Sequence, residues 1–200
     1  MGKVRITILL LVGLAVGMFA TKSLQATTAS PLEDPDWPDS PAFQISANDS
    51  EDATGAAIQY SDDGSVLMVV FSNQESATGT DNDIYARSRS ATDPEWGALE
   101  EIYDSPNIES GQPTLAFVGT TAHVVWFEKP TSNEYQLVSS RKTVGGSWRA
   151  NPVVISSGTT LPIKDPHLVA DGTTLHVVWI QREEPSGFQL LVNHAYSTNG

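Results

Sequence analysis

The sequence predicts an all-β chain built from repeated four-stranded antiparallel units, and three observations carry that reading. The first is self-similarity: Thr120 to Trp126 reads Thr-Thr-Ala-His-Val-Val-Trp, and Thr173 to Trp179 reads Thr-Thr-Leu-His-Val-Val-Trp. A period of roughly 50 to 56 residues points to a propeller or another stacked array. The second is that, from Phe43 onward, short β-branched and aromatic runs alternate with Gly, Asp, Asn and Ser clusters, and no window sustains a helical period. The third is that both parities of Val124-Val125-Trp126-Phe127 are apolar, which suits a sheet covered on both faces. Together these predict a β-propeller of four-stranded antiparallel blades, with about three blades present as part of a six-bladed ring.

The N-terminus carries Lys3 and Arg5, then an apolar run from Ile6 to Ala20, then Ser23-Leu24-Gln25-Ala26. This is the three-part form of a secretory signal, and the run is short for a membrane span. Residues 1–26 are therefore expected to be removed, which predicts a secreted or cell-surface protein with no membrane span in the mature chain. Residues 27–40 hold a cluster of prolines and acids and read as an extended leader.

The repeated domain is placed at residues 41–200, with blades near 41–104, 105–156 and 157–200. Strands are expected near 57–61, 66–72, 84–89 and 96–103 in the first unit and near 112–118, 122–127, 135–141 and 148–155 in the second. The third offers 167–170, 175–180 and 190–196. Asp63-Gly64 and Asp171-Gly172 supply tight turns. Phe43-Gln44-Ile45-Ser46 resembles the fourth-strand segments and is read as an orphan outer strand. That arrangement suits either the front part of a longer propeller or two copies exchanging a strand in a head-to-tail homodimer.

With no cysteine, the chain has no disulfide framework and no thiolate metal site or nucleophile. A formal charge of −13 argues against nucleic acid, whose phosphates need clustered Lys and Arg. Trp126 and Trp179, with Phe71 at the corresponding place, read as inter-blade core, each contributing roughly 2 to 3 kcal/mol by burial. His123 and His176 share a column with Met68, which suits packing; a whole blade separates them, too far for joint metal ligation at about 2 Å each. The loop Thr80-Asp81-Asn82-Asp83 offers oxygen ligands for Ca²⁺ without EF-hand spacing, and an Asx-type turn accounts for it equally well. No metal and no cofactor are expected.

The turns between third and fourth strands carry Ser90-Ala91-Thr92-Asp93-Pro94-Glu95-Trp96, Gly145-Gly146-Ser147-Trp148 after Ser139-Ser140, and Ser197-Thr198-Asn199-Gly200. On these the chain resembles the sialidase-like, Asp-box (BNR-repeat) β-propellers, whose turn motif is Ser-x-Asp-x-Gly-x-x-Trp; each copy here is degenerate. The resemblance implies that these turns lie on the outer rim and serve folding. It also implies, for an enzyme, an arginine cluster, a Tyr nucleophile with a Glu, and an Asp acid/base, exceptions to the usual carboxylate pair. The stretch from Phe43 to Tyr60 has no arginine, and Arg87, Arg89, Arg141 and Arg149 fall on third strands or outer turns. No catalytic residue is assigned.

Ligands of propellers generally lie at the axial end, where the loops leading into first strands meet those between second and third strands. Glu109, Gln112, Asp165 and His167 belong to the first set, and Glu128 and Arg182 to the second. Asp165 and His167 are two residues apart, so a regular strand places both side chains on one face, where a carboxylate beside an imidazole suits acid/base work or a solvated turn. The expected function is extracellular recognition of a glycan or a cell-surface protein. The alternatives are a glycoside hydrolase whose catalytic residues lie in further blades and a structural module of a larger surface protein.

Overall fold

A computed structural model of the protein describes residues 44–46, 52–74, 81–106, 108–182 and 189–199. Contacts divide the chain into Met1–Phe43 and Gln44–Gly200. The expected signal and leader lie outside the described residues, as does Phe43. Among the described residues there are eleven strands and no helix, so none is long and apolar enough to cross a membrane.

The strands form three successive antiparallel meanders. The first contains β1 (Ala53–Tyr60), β2 (Val66–Gln74), β3 (Asn82–Ser90) and β4 (Glu100–Tyr103), each pairing with the next. The second contains β5 (Glu109–Val118), β6 (Thr121–Thr131), β7 (Glu134–Thr143) and β8 (Val153–Thr159). The third contains β9 (Ile163–Asp171), β10 (Thr174–Arg182) and β11 (Leu190–Ser197). One parallel pair, Asn82 opposite Glu109, connects the first sheet to the second, and the sheets do not close.

The registers make the repeat explicit. Phe71 stands opposite Tyr85, Trp126 opposite Val138 and Trp179 opposite Asn193, so the three aromatics occupy one column. Met68, His123 and His176 form the adjacent-parity column, opposite Ser88, Arg141 and Tyr196. Because side chains alternate along a strand, the two columns face opposite sides of each sheet. Trp126 points back into a core with Met68, Val70, Ile84 and Ile102 of the first sheet and is 0% exposed. Trp179 packs back against Val125 and Leu137 of the second sheet. The both-parity apolar run of β6 thus lies in a sheet buried on both faces, as its sequence requires.

Two expectations about strand ends are corrected. The fourth strands begin at Glu100 and Val153 rather than at Trp96 and Trp148. Both tryptophans sit in the preceding turn instead, where Arg89 lies 5.6 Å from the Trp96 ring and Lys142 lies 5.8 Å from the Trp148 ring. These equivalent cation–π contacts hold each turn against its own third strand. The first strands begin earlier than expected, because each continues through a β-bulge. Register shifts fall between Thr54 and Ala57, between Gly111 and Thr114, and opposite Val178–Ile180. Pro113 and Pro166 lie in the bulges, where a proline costs no ladder hydrogen bond. Gln44–Ser46, expected as strand, do not take strand form; Ile45 and Ser46 line a hollow with Val69 and Phe71.

Trp126→Ala removes the largest fully buried side chain and is expected to lower unfolding free energy by about 3–5 kcal/mol, read by urea denaturation at pH 7. A loss under about 1 kcal/mol would contradict the core assignment.

Candidate functional site

The three bulges repeat a conformation as well as a position. Gly55, Gln112 and Asp165 each take a left-handed backbone, with φ of 58°, 51° and 48°. Glycine adopts this freely, whereas Gln112 and Asp165 incur roughly 1–2 kcal/mol each. Successive bulges are in contact. A Cβ at Gly55 would lie 3.1 Å from the Gln112 Cα, and the Asp165 backbone N–H donates to Gln112 Oε1 at 2.8 Å. The neighbouring Leu168 N–H donates to Thr114 Oγ1 at 3.1 Å. At the opposite ends of these first strands, Asp62 and Gly119 exchange two further bonds: Asp62 N–H to the Gly119 carbonyl at 3.1 Å, and Gly119 N–H to Asp62 Oδ2 at 2.5 Å.

The structure therefore unites two of the expected site residues, Gln112 and Asp165, and separates the rest by role. Gln112 is committed to the neighbouring sheet, while Asp165 is exposed. Glu109 pairs with Lys129 at 3.4 Å. Glu128 is buried, accepting from Trp126 Nε1 at 3.1 Å and Gln136 Nε2 at 2.7 Å. Burial pushes its carboxyl upward, opposed by these two bonds and assisted by the Asp83 charge. Arg182 ends β10 opposite Leu190. His167 stands opposite Val178 on the third sheet's outward face. The strand between Asp165 and His167 is not regular, because a bulge at Asp165 interrupts the alternation on which their expected sharing of a face rested.

His176 faces the same outward side, where its Nδ1 lies 3.1 Å from His194 Nε2 and the two rings stack at 5.4 Å, with Tyr196 continuing the stack. Its neighbour is thus His194 and not His123. Asp81, just before β3, and Asp83, within it, serve as anchors: Asp81 Oδ1 accepts from Ile108 N–H at 3.2 Å, and Asp83 Oδ1 accepts from the Ser105 N–H and hydroxyl at 3.0 and 3.1 Å. Asp83, Glu101 and Asp104 bring oxygens within 4.8 Å of one another, the arrangement among the described residues closest to a cation-ligand set. Burial first, then Asp104 and Asp83, raise the Glu101 carboxyl.

Sequence reasoning passed over a cavity of about 380 Å³ between the second and third sheets. Its walls include Val125, Ile155, Leu168 and Val177. His123 also lines it, and its Nε2 is buried without a hydrogen-bond partner. Burial, with the Arg141 charge opposite, lowers this imidazole to about 4, so the ring is neutral at pH 7. The repeated His at one column was the signal, but only the third dimension shows that His123 faces a cavity and His176 an open face.

No family model matches the chain, and no curated protein matches it. Several solved structures do. An endo-arabinase from Bacteroides thetaiotaomicron VPI-5482 aligns at 13% identity over 71% of this chain and 55% of its own, with a TM-score of 0.49. A protein of unknown function from Dyadobacter fermentans DSM 18053 aligns at 14% identity over 75% of this chain and 52% of its own, with a TM-score of 0.56. This chain shares the Dyadobacter protein's fold. A third solved structure, an RGII complex, aligns at 9% identity with a TM-score of 0.31, over 77% of this chain and 73% of its own. The chain spans about half the length of the first two structures.

Two outcomes test this geometry. Gly55→Ala places a Cβ against the Gln112 backbone in a left-handed conformation and is expected to cost about 1–2 kcal/mol, measured by thermal unfolding. For His123 the sign is that of a histidine depressed in the folded state: the unfolded chain binds the extra proton below pH 6.5, so stability falls as pH drops from 6.5 toward about 4 and this contribution levels below that. His123→Met is expected to remove that acid-dependent loss, on the order of 2–3 kcal/mol, in denaturation midpoints measured across the window.

Proposed function

We propose that the three meanders are successive blades of a secreted sialidase-like β-propeller, and that the chain is an extracellular recognition module for a glycan or a cell-surface protein. The observation that carries this reading is the recurrence of a left-handed bulge at one place in all three first strands, twice at a non-glycine residue. Backbone strain of this kind concentrates at ligand sites. Here it turns one end of adjacent first strands into a shared rim, with Asp165 and its neighbour Lys164 exposed on it. Four of the arginines favour recognition over sialidase chemistry: Arg87 and Arg89 lie on β3, Arg141 on β7 and Arg149 beyond it, away from the bulged rim of first strands, while Arg182 ends β10.

A complete ring needs further sheets. The outward face of the third sheet exposes Val169, Val178 and Val192 beside His167, His176 and His194. On the first sheet the opposite-facing Leu67, Val69 and Phe71 are 7%, 5% and 4% exposed. A head-to-tail homodimer therefore requires those side chains to be uncovered.

The test is a glycan array probed with the chain and with Asp165→Ala. Wild type is expected to retain a defined glycan class, and Asp165→Ala to lose it while Tm stays within about 2 °C. An array without selective binding, or retention by the variant, would sink the proposed rim.

A further inference from the structure

The bulges of β5 and β9 leave two polar groups open side by side. Asp165 N–H donates to Gln112 Oε1 at 2.8 Å. An N–H needs an acceptor, so this bond fixes which end of the Gln112 amide is oxygen, and Nε2 with its two N–H donors points elsewhere. Among the described residues nothing accepts from Gln112 Nε2 and nothing donates to the Asp165 carboxylate. Gln112 is thus committed to the neighbouring sheet through its oxygen alone. It is half-buried, and Asp165 is exposed.

The backbone holds both residues in place. With φ of 51° and 48°, Gln112 and Asp165 occupy the region that glycine takes freely and other residues only under strain. Each is followed by a proline, Pro113 and Pro166, which locks the next φ and stiffens the bulge. At the corresponding bulge of β1 stands Gly55, where a Cβ would lie 3.1 Å from the Gln112 Cα, so no side chain at that position crowds the Gln112 amide. One hydrogen bond therefore preorganises a pair of donors beside a pair of acceptors. Their complement must offer a donor and an acceptor on adjacent atoms. Two neighbouring sugar hydroxyls do so, because each is both donor and acceptor. A peptide draws specificity from side-chain pockets, whereas the exposed positions here, Lys164 and Asp165 itself, are charged and suit a polyol.

We propose that Gln112 and Asp165 together bind a vicinal diol of a glycan, which rests on the chain being a recognition module and names the chemistry it recognises. The Asp165 carboxylate accepts from one hydroxyl. Gln112 Nε2–H donates to the oxygen of the next hydroxyl, while Oε1 keeps its bond to the Asp165 amide.

The test is an NMR titration of the isotopically labelled full chain at pH 7, read at the Asp165 backbone and Gln112 side-chain amide signals. The probes are methyl β-D-xylopyranoside and its 2-deoxy and 3-deoxy analogues. The two deoxy sugars have equal numbers of hydroxyls, adjacent in the first and separated in the second. The parent and the 2-deoxy sugar are expected to shift both signals, and the 3-deoxy sugar to bind at least about tenfold more weakly. Gln112→Glu keeps an oxygen for the Asp165 amide and removes the N–H donors, and it is expected to lose at least about tenfold in affinity for the 2-deoxy sugar. Equal affinity for the two deoxy sugars, or undiminished binding by a folded Gln112→Glu, would overturn the proposal; if that variant fails to fold, the wild-type comparison decides. Unmoved signals with every sugar up to about 100 mM would overturn it too. In that case, array binding that Asp165→Ala abolishes would leave recognition at the rim standing without the diol, whereas an array without selective binding removes both.

Discussion

Burial of one aromatic column between successive sheets is the constraint on which the rest of the structure depends. Each meander alone would expose an apolar face, and the next meander covers it: Trp126 seals the first interface and Trp179 the second. This explains why β2 and β6 are apolar at both parities while the edge strand β11 is mostly exposed. It also explains why a polar atom at these columns needs its own solution. Trp126 Nε1 finds Glu128, and the cost appears as a carboxyl whose proton is harder to remove. Trp179 Nε1, two residues before Gln181, is buried without such a bond.

The hydrogen bonds between sheets act at the margins of that apolar contact and set its geometry. At one end of the first strands the bulges touch, with Gln112 reaching the Asp165 amide; at the other, Asp62 and Gly119 exchange backbone and carboxylate bonds. Toward the fourth strands, Trp148 and Lys142 converge on Glu100. Three points so placed fix the tilt of one sheet against the next, which burial alone, being non-directional, does not. The second interface has the first of these points, the Gln112 side chain on the Asp165 amide.

Electrostatics divide along the same lines. The acids near β3 and β4 mainly anchor loops, with Asp81 and Asp83 holding the connection from β4 to β5. Asp63 does the same for the β1–β2 turn, where bonds from Ser61 and Ser65 hold its carboxyl down to about 2. The inter-sheet cavity is the contrast, an apolar space with Arg141 and Arg149 in its lining.

The repeat, the strand class and the aromatic column were legible in the sequence because each rests on local periodicity: alternation along a strand and recurrence of His-Val-Val-Trp set which residues share a face. All eleven strands lie where that periodicity puts them, with ends displaced by the bulges and by the tryptophan turns. The bulges had a faint signal in Gln112-Pro113 and Asp165-Pro166, a polar residue before proline at the same offset in two units. A proline inside a strand reads as a break until the bulge that accommodates it is seen. Of the candidate site, residue types and loops were legible, but their partners were not. Glu128 turned inward to a tryptophan, Glu109 paired with Lys129, and His167 was separated from Asp165 by a register shift. Sequence by itself determined which faces are apolar and how often they recur. Tertiary structure alone decided which sheet covers each face and what fills the space between, because those depend on contacts between residues more than fifty positions apart.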